Sequence, residues 1–213
     1  VSLMDSVLIL NTNISKTTVE EVAELLQSKN SKSVAVCNTN TLVRSYRNGS
    51  LQKKINSFDI RVPDGFPVAK ASNFLYKNKQ KRVDGYNIFH KTIEKGLGNN
   101  LGHYFFGSSE ETFLKLESRL LSKYPNINIL GHYCPPLLSF EELTKEDFIF
   151  DLKEKNADIV WVSLGFPKQE EFIYLLLKNN DIKSNFVGIG AVFEWSAGTK
   201  IKAPEFLANL GFE

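Results

Sequence analysis

The chain has 213 residues, 42% of them hydrophobic and 23% charged, which suits one soluble domain with a substantial core and requires no second one. Its 26 Lys and Arg stand against 24 Asp and Glu, and a net charge of +2 is too small for a nucleic-acid footprint, so any anion site has to be local. Cys37 and Cys134 supply neither a disulfide framework nor a metal spacing, which fits a reducing cytoplasm, and no apolar run approaches the ~20 residues that span a bilayer.

Val1 to Leu10 carries Asp5 and lacks a basic leader, so it does not read as a secretory signal. Ser6 to Leu10 predicts a strand, and Thr17 or Thr18 can cap a helix that buries Val19, Val22, Leu25 and Leu26. Ser33 to Val36 predicts a second strand, running into Cys37-Asn38-Thr39-Asn40-Thr41 and a helix with Leu42, Val43 and Tyr46. Asn40 or Thr39 can cap that helix, and Asn38 can contact a ligand. Phe58 to Val62 predicts a third strand, stopped by Pro63-Asp64-Gly65 ahead of an apolar helix over Phe66 to Tyr76. Pro-Asp-Gly is also a plain turn sequence. Arg82-Val83-Asp84-Gly85 then breaks the helical pattern before Tyr86 to Lys95.

From Leu101 the alternation is regular. His103 to Phe106 predicts a strand ending at Gly107, followed by a helix over Glu110 to Lys123. Ile127 to Leu130 predicts a strand ending at Gly131, with His132-Tyr133 beyond it. Asp158 to Leu164 predicts a strand ending at Gly165, with Pro167 and Lys168 opening a helix. Asn185 to Val187 predicts a strand ending at Gly188-Ile189-Gly190. Strands alternating with helices imply parallel strands and right-handed crossovers, hence an α/β domain with a Rossmann-like sheet covered by helices on both faces. Glycine at one strand end after another predicts a cleft at the carboxyl edge, where the start of a helix offers N–H groups to an anion.

The chemistry narrows by exclusion. His90, His103 and His132 lie far apart without zinc spacing, so no metal ligands are assigned. There is no Asp-x-Asp pair for a divalent ion and no Gly-x-Ser-x-Gly elbow, and Gly188-x-Gly190-x-x-Phe193 lacks the third glycine of a dinucleotide fingerprint.

Taken together, Asn38, Pro63-Asp64-Gly65, Arg82-Val83-x-Gly85, Phe105-Phe106-Gly107, Gly131-x-Tyr133, Gly165-Phe166-Pro167-Lys168-Gln169-Glu170, Gly188-Ile189-Gly190-x-x-Phe193 and Ala197-Gly198 with Ala203-Pro204 resemble the WecG/TagA/CpsF glycosyltransferases, glycosyltransferase family 26. The resemblance runs from Asn38 through nearly all the remaining chain. It implies inverting, metal-independent transfer, without a cofactor, from a UDP-sugar such as UDP-N-acetylmannosamine to a polyprenyl-diphosphate-linked sugar, in teichoic acid or surface-polysaccharide synthesis. Asp64 matches the family's general base. Asn38, Gly107, Gly131, Tyr133, Gly165, Pro167, Lys168, Gln169, Gly188, Gly190 and Glu194 are expected around the donor, and Asn40 and Arg82 around the acceptor, with Arg82 at its diphosphate. Gln169 and Glu170 could instead belong to an exposed helix start, and Glu194 could pair with a nearby lysine.

The sequence departs from the family at Val36, where threonine is common, at Glu194 in place of aspartate, and at Lys202 in place of arginine. Cys134-Pro135-Pro136 is an unusual continuation of the Gly131 loop. Family members usually continue beyond Gly211-Phe212-Glu213 into a basic, aromatic appendage, so a single catalytic domain over residues 1–213 without that appendage is expected, peripheral on the cytoplasmic face of the membrane. A homo-oligomer stays open. Two other readings remain: a nucleotide-sugar-binding protein of this fold without turnover, and a nicotinamide-dependent oxidoreductase.

Overall fold

The computed structural model describes residues 5–29, 31–135, 146–179 and 182–202. The first surprise is local. β1 (Ser6–Ile9) pairs antiparallel with β2 (Thr12–Ser15), and the two form a hairpin separate from the main sheet. The sequence by itself predicts a strand here that leads directly to a helix. The turn explains the difference, because Leu10 and Asn11 both adopt positive φ (46° and 57°), the pattern whose twist matches a two-residue hairpin. Gln52 and Asn56 donate to the Leu10 and Asn11 carbonyls at 2.9 Å each, and Arg61 donates to the Asn13 carbonyl, so the hairpin is held from its flank.

α1 (Val19–Leu25) follows, with Thr18 as its cap in a reciprocal box with Glu21. β3 (Ser33–Cys37) leads to α2 (Thr39–Tyr46) and α3 (Gly49–Asn56), and β4 (Ile60–Pro63) leads to α4 (Phe66–Tyr76) and α5 (Gly85–Gly96). β5 (Gly102–Gly107) leads to α6 (Glu110–Lys123), and β6 (Asn128–Tyr133) comes next. After α7 (Glu146–Lys155), β7 (Ile159–Ser163) leads to α8 (Lys168–Asn179) and β8 (Asn185–Gly188) to α9 (Val192–Ala197). The six main strands are parallel, in the order β4-β3-β8-β7-β5-β6.

Alternation along the strands divides the core into two layers. Ala35, Cys37, Tyr104, Phe106, Val160 and Val162 face one way, with Leu51 and Ile55 of α3, Phe148 of α7 and Phe172 of α8. Val34, Phe105, Ile159 and Trp161 face the other way, against Val22 of α1, Phe89 of α5, Phe113 of α6 and Phe193 of α9. Strands buried on both sides read as near-continuous apolar runs, which is why β7 was legible as Ile-Val-Trp-Val. Trp161 meets its one polar requirement inside this core by donating to His103 Nδ1 at 3.1 Å.

Because the strands are parallel, all their carboxyl ends share one edge. α2 and α8 leave β3 and β7 toward one layer, whereas α9 and α6 leave the neighbouring strands β8 and β5 toward the other. Neighbouring strands therefore send their helices to opposite layers at β3/β8, β8/β7 and β7/β5, the arrangement at which open α/β sheets take their ligands.

Candidate active site

Asp64 lies at the carboxyl end of β4. Its backbone N–H donates to the Cys37 carbonyl at 3.0 Å and to the Val62 carbonyl at 3.1 Å, which fixes it beside the end of β3. Gly65 follows at φ 82° as the cap of α4, a conformation that turns the chain sharply away and leaves Asp64 at the rim. The Arg82 Nε–H donates to Asp64 Oδ1 at 3.2 Å, and both side chains are mostly buried, at 19% and 16% exposure. The Val83 N–H donates to the Pro63 carbonyl at 2.9 Å, so the Arg82-to-Gly85 segment runs alongside the strand end. The sequence placed Asp64 and Arg82 in separate elements, and the fold pairs them.

Asp84 was not singled out by the sequence reading. It is buried, caps α5 through the Asn87 N–H at 3.1 Å, and lies 3.9 Å from the Lys202 ammonium, which also sits 4.0 Å above the Tyr86 ring. Aspartate three residues before an asparagine at a helix start was the available signal. Arg82 lines two adjoining clefts of 850 and 530 Å³. The smaller cleft is lined by Phe66, Lys70, Lys81, Asp84 and Asn87 and reaches Asp64 through its partner Arg82, whereas the larger lies toward α1 and α5 and reaches this edge through Arg82 and Val83.

Asn38, and not Asn40 or Thr39, caps α2. Its Oδ1 accepts from the Thr41 N–H at 3.0 Å and from the Thr41 hydroxyl at 3.2 Å, which leaves its amide NH2 as the group able to reach a ligand. Asn40 is exposed in the first turn, and Arg44, one turn later, stacks its guanidinium 5.0 Å from the Phe166 ring. Arg44 thus brings a cation to the β7–α8 turn, which the sequence reading did not anticipate.

The Gly165-to-Glu170 stretch corrects two expectations. Gln169 and Glu170 are 3% and 0% exposed, so they are not an exposed helix start. Nor does Gln169 lie open to a donor, because its Oε1 accepts from the Gly190 N–H at 2.9 Å and its Nε2 donates to Glu170 Oε1 at 2.9 Å. It is a strut between α8 and the end of β8. Burial pushes the Glu170 carboxyl up to about 7, and its Oε2 has no hydrogen-bond partner. Glu171, the second acid of the first turn, pairs with Lys54 at 2.9 Å. Lys168 remains exposed at the helix start. The Gln169 N–H is used by the Gly165 carbonyl at 3.1 Å, so the turn offers an anion fewer free donors than its sequence suggested.

The strand-end glycines serve different purposes. A side chain at Gly107 would meet the Ser163 carbonyl oxygen at 2.4 Å, one at Gly131 the Tyr104 ring at 2.9 Å, and one at Gly188 the Gln169 amide at 3.0 Å. These three are explained by packing. Gly165 and Gly190 face open space at φ 73° and 58°, so of the five only these two are held to glycine by backbone conformation and not by packing. β6 also runs on through Tyr133, so Gly131 and Tyr133 are strand residues and not a loop; Tyr133 stacks on Phe106 at 5.6 Å. Pro167 is half-buried just before α8, joined to Phe166 by a cis peptide.

Glu194 pairs with Lys200 at 3.3 Å through Oε1, while its buried Oε2 has no partner. His90 and His103 are the ordinary histidines expected of them. Burial lowers them to about 4 and about 3, and both are hydrogen-bonded neutral rings. Burial and Glu110 push the Cys134 thiol up to about 12, so with nothing bound it keeps its proton near neutral pH. The family motif at Ala203-Pro204, the proline at 136 and the chain end at Gly211 to Glu213 lie outside the described residues.

A parallel α/β sheet with a carboxylate held against a guanidinium at its carboxyl edge is an α/β fold with a ligand site of the Rossmann-like kind. Which enzyme class follows from comparison with known proteins: the glycosyl transferase WecG/TagA/CpsF family matches residues 7–213, and the chain belongs to that family of glycosyltransferases. It is similar to the N-acetylglucosaminyldiphosphoundecaprenol N-acetyl-beta-D-mannosaminyltransferase of Staphylococcus aureus (strain NCTC 8325 / PS 47), 26% identical over an alignment 212 residues long that covers 96% of this chain and 81% of the relative. The protein of the same description in Bacillus subtilis (strain 168) is 26% identical over 159 residues, 75% of this chain and 60% of its own length.

Proposed function

We propose that this glycosyltransferase moves N-acetylmannosamine, or a related hexose or uronic acid, from a UDP-sugar to a polyprenyl-diphosphate-linked sugar, with inversion and with Asp64 as general base. The observation that carries the reading is the Asp64–Arg82 pair at 3.2 Å on the carboxyl edge, beside a cleft of 530 Å³. An Asp64 carboxylate oxygen would take the proton of the acceptor hydroxyl as that oxygen bonds to the anomeric carbon, and the bond to UDP would break on the opposite face. One base suffices, with no covalent sugar intermediate.

Arg82 suits the acceptor diphosphate, because guanidinium meets phosphate in bidentate fashion. Lys168 and Arg44 supply positive charge near Gly165, where the donor diphosphate would lie. Three strand spacings of ~4.8 Å separate β4 from β7, so the base and this anion site would stand roughly 14 Å apart, a span fitted to a nucleotide-sugar laid across the edge. The names of the relatives support the lipid-linked acceptor.

An acceptor of that kind calls for contact with a membrane, and no helix among the described residues is long and apolar enough to cross one. The face made by α4 and the hairpin fits peripheral contact. Phe74, Leu75 and Tyr76 are 84, 58 and 45% exposed, Leu8 is 50% exposed beside them, and Tyr76 is tied to Leu8 by a 2.7 Å hydrogen bond. Exposed Lys70, Lys77, Lys79 and Lys81 surround this patch and complement anionic headgroups. It borders Phe66 and the Arg82 cleft.

Calorimetric titration with UDP, a panel of UDP-sugars and NAD tests the donor class. UDP and one favoured UDP-sugar should bind while NAD does not; NAD binding without UDP binding would replace this reading with the oxidoreductase one. For the membrane face, Phe74→Glu with Leu75→Glu should abolish co-sedimentation with anionic vesicles and leave UDP binding unchanged. Retained co-sedimentation would move the contact elsewhere.

A further inference from the structure

Glu110, His132 and Cys134 meet at the far edge of the sheet, although no linear spacing joins all three. His132 and Cys134 are two residues apart, so strand alternation sends both side chains toward the layer that contains α6. The His132 ring stacks on Phe113 of α6 at 3.8 Å and 13°, which fixes its plane. Glu110 is the first residue of α6, and its Oε1 lies 2.9 Å from His132 Nε2. Cys134 Sγ packs 3.8 Å from the Gly107 carbonyl oxygen, at the turn that precedes α6. One donor atom from each of the three residues lies within 4.8 Å of the others.

Sulfur, imidazole nitrogen and carboxylate oxygen form a donor set suited to zinc. Zinc bond lengths of ~2.0–2.3 Å place tetrahedral ligands roughly 3.3–3.6 Å apart, so side-chain rotations of about 1 Å would close the site without backbone movement. We propose that Glu110, His132 and Cys134 form a three-ligand Zn2+ site, with water in the fourth position. The Cys134 thiol proton leaves to solvent as the thiolate binds, His132 binds through Nε2 as the neutral ring, and Glu110 binds as the carboxylate. Water has access, since the Glu110 side chain is 61% exposed and that of His132 is 32% exposed.

The ion would clip the end of β6 to the start of α6 and the Gly107 turn. β6 and β4 are at opposite ends of the six-stranded order, five spacings of ~4.8 Å or roughly 24 Å apart, so the ion would lie beyond reach of Asp64. This inference is independent of the proposed transfer chemistry.

Equilibrium dialysis of the chelator-stripped chain against Zn2+, and titration with Co2+ followed by absorbance, test it. One Zn2+ per chain is expected near neutral pH, with the thiolate-to-cobalt charge-transfer band. Cys134→Ser should remove the band, and it and His132→Gln should each weaken Zn2+ binding by at least about 100-fold while thermal melts show them folded. Cys37→Ala should bind like the wild type. Millimolar or absent binding by the wild type would overturn the site, as would unchanged binding by a folded Cys134→Ser/His132→Gln double variant.

Discussion

Asp64 shows how one residue acquires a chemical role from its surroundings. The turn sequence Pro63-Asp64-Gly65 is common, and only its position after a strand marked Asp64 in the sequence. The structure adds the 3.2 Å contact with Arg82, which no local pattern foretold because 18 residues separate the two. Glu170 is the opposite case, a carboxyl for which an exposed helix start was one alternative and which lies fully buried and is pushed up to about 7. Between its ordinary 4.5 and about 7 the unfolded chain has released this proton while the folded chain keeps it, so its contribution to stability falls as pH rises through that window. Glu170→Gln should therefore stabilise the protein at pH 8, by up to about 3 kcal/mol, and leave it unchanged near pH 4. Urea unfolding at the two pH values checks this; equal effects at both would show that Glu170 ionises freely in the fold. Its burial escaped sequence reading because three charged or amide residues in a helix's first turn look like a solvated start.

At the scale of elements, the parallel βα units were legible because strands buried on both faces leave long apolar runs and because glycine marks their ends. The hairpin was missed because Asn11 and Asn13 resemble a loop unless the two positive φ angles of Leu10 and Asn11 are known. The continuation of β6 through Tyr133 was missed for a related reason: Gly131 reads as a stop, whereas Tyr104 packing requires it within the strand. Glycines of identical appearance should respond differently to substitution. Gly107→Ala puts a methyl group 2.4 Å from the Ser163 oxygen at φ 114° and should destabilise by about 3 kcal/mol. Gly165→Ala meets open space at φ 73° and should lose about 1 kcal/mol, through backbone strain alone. Denaturant midpoints of the two variants decide; equal losses would remove the distinction between packing and conformational glycines.

Across the whole molecule, strand order is the feature that sequence could not supply. Alternating elements predicted a parallel sheet, but the order β4-β3-β8-β7-β5-β6 decides that Asp64, Asn38, Gly190 and Gly165 come at successive strand ends. The same order puts the Glu110–His132–Cys134 group at the remote edge and makes its histidine more than an isolated one. Family membership is shown over residues 7–213, and the transfer chemistry is the claim built on that foundation. Its most direct test is release of UDP from UDP-N-acetylmannosamine on addition of a polyprenyl-diphosphate-linked N-acetylglucosamine, measured for the wild type and for Asp64→Asn together with their UDP affinities. Acceptor-dependent release by the wild type, slowed at least about 100-fold in Asp64→Asn with UDP affinity kept, is the predicted result. Release at the wild-type rate by Asp64→Asn would contradict the assignment of the base, and UDP binding without release by the wild type would leave a nucleotide-sugar-binding protein in place of a transferase.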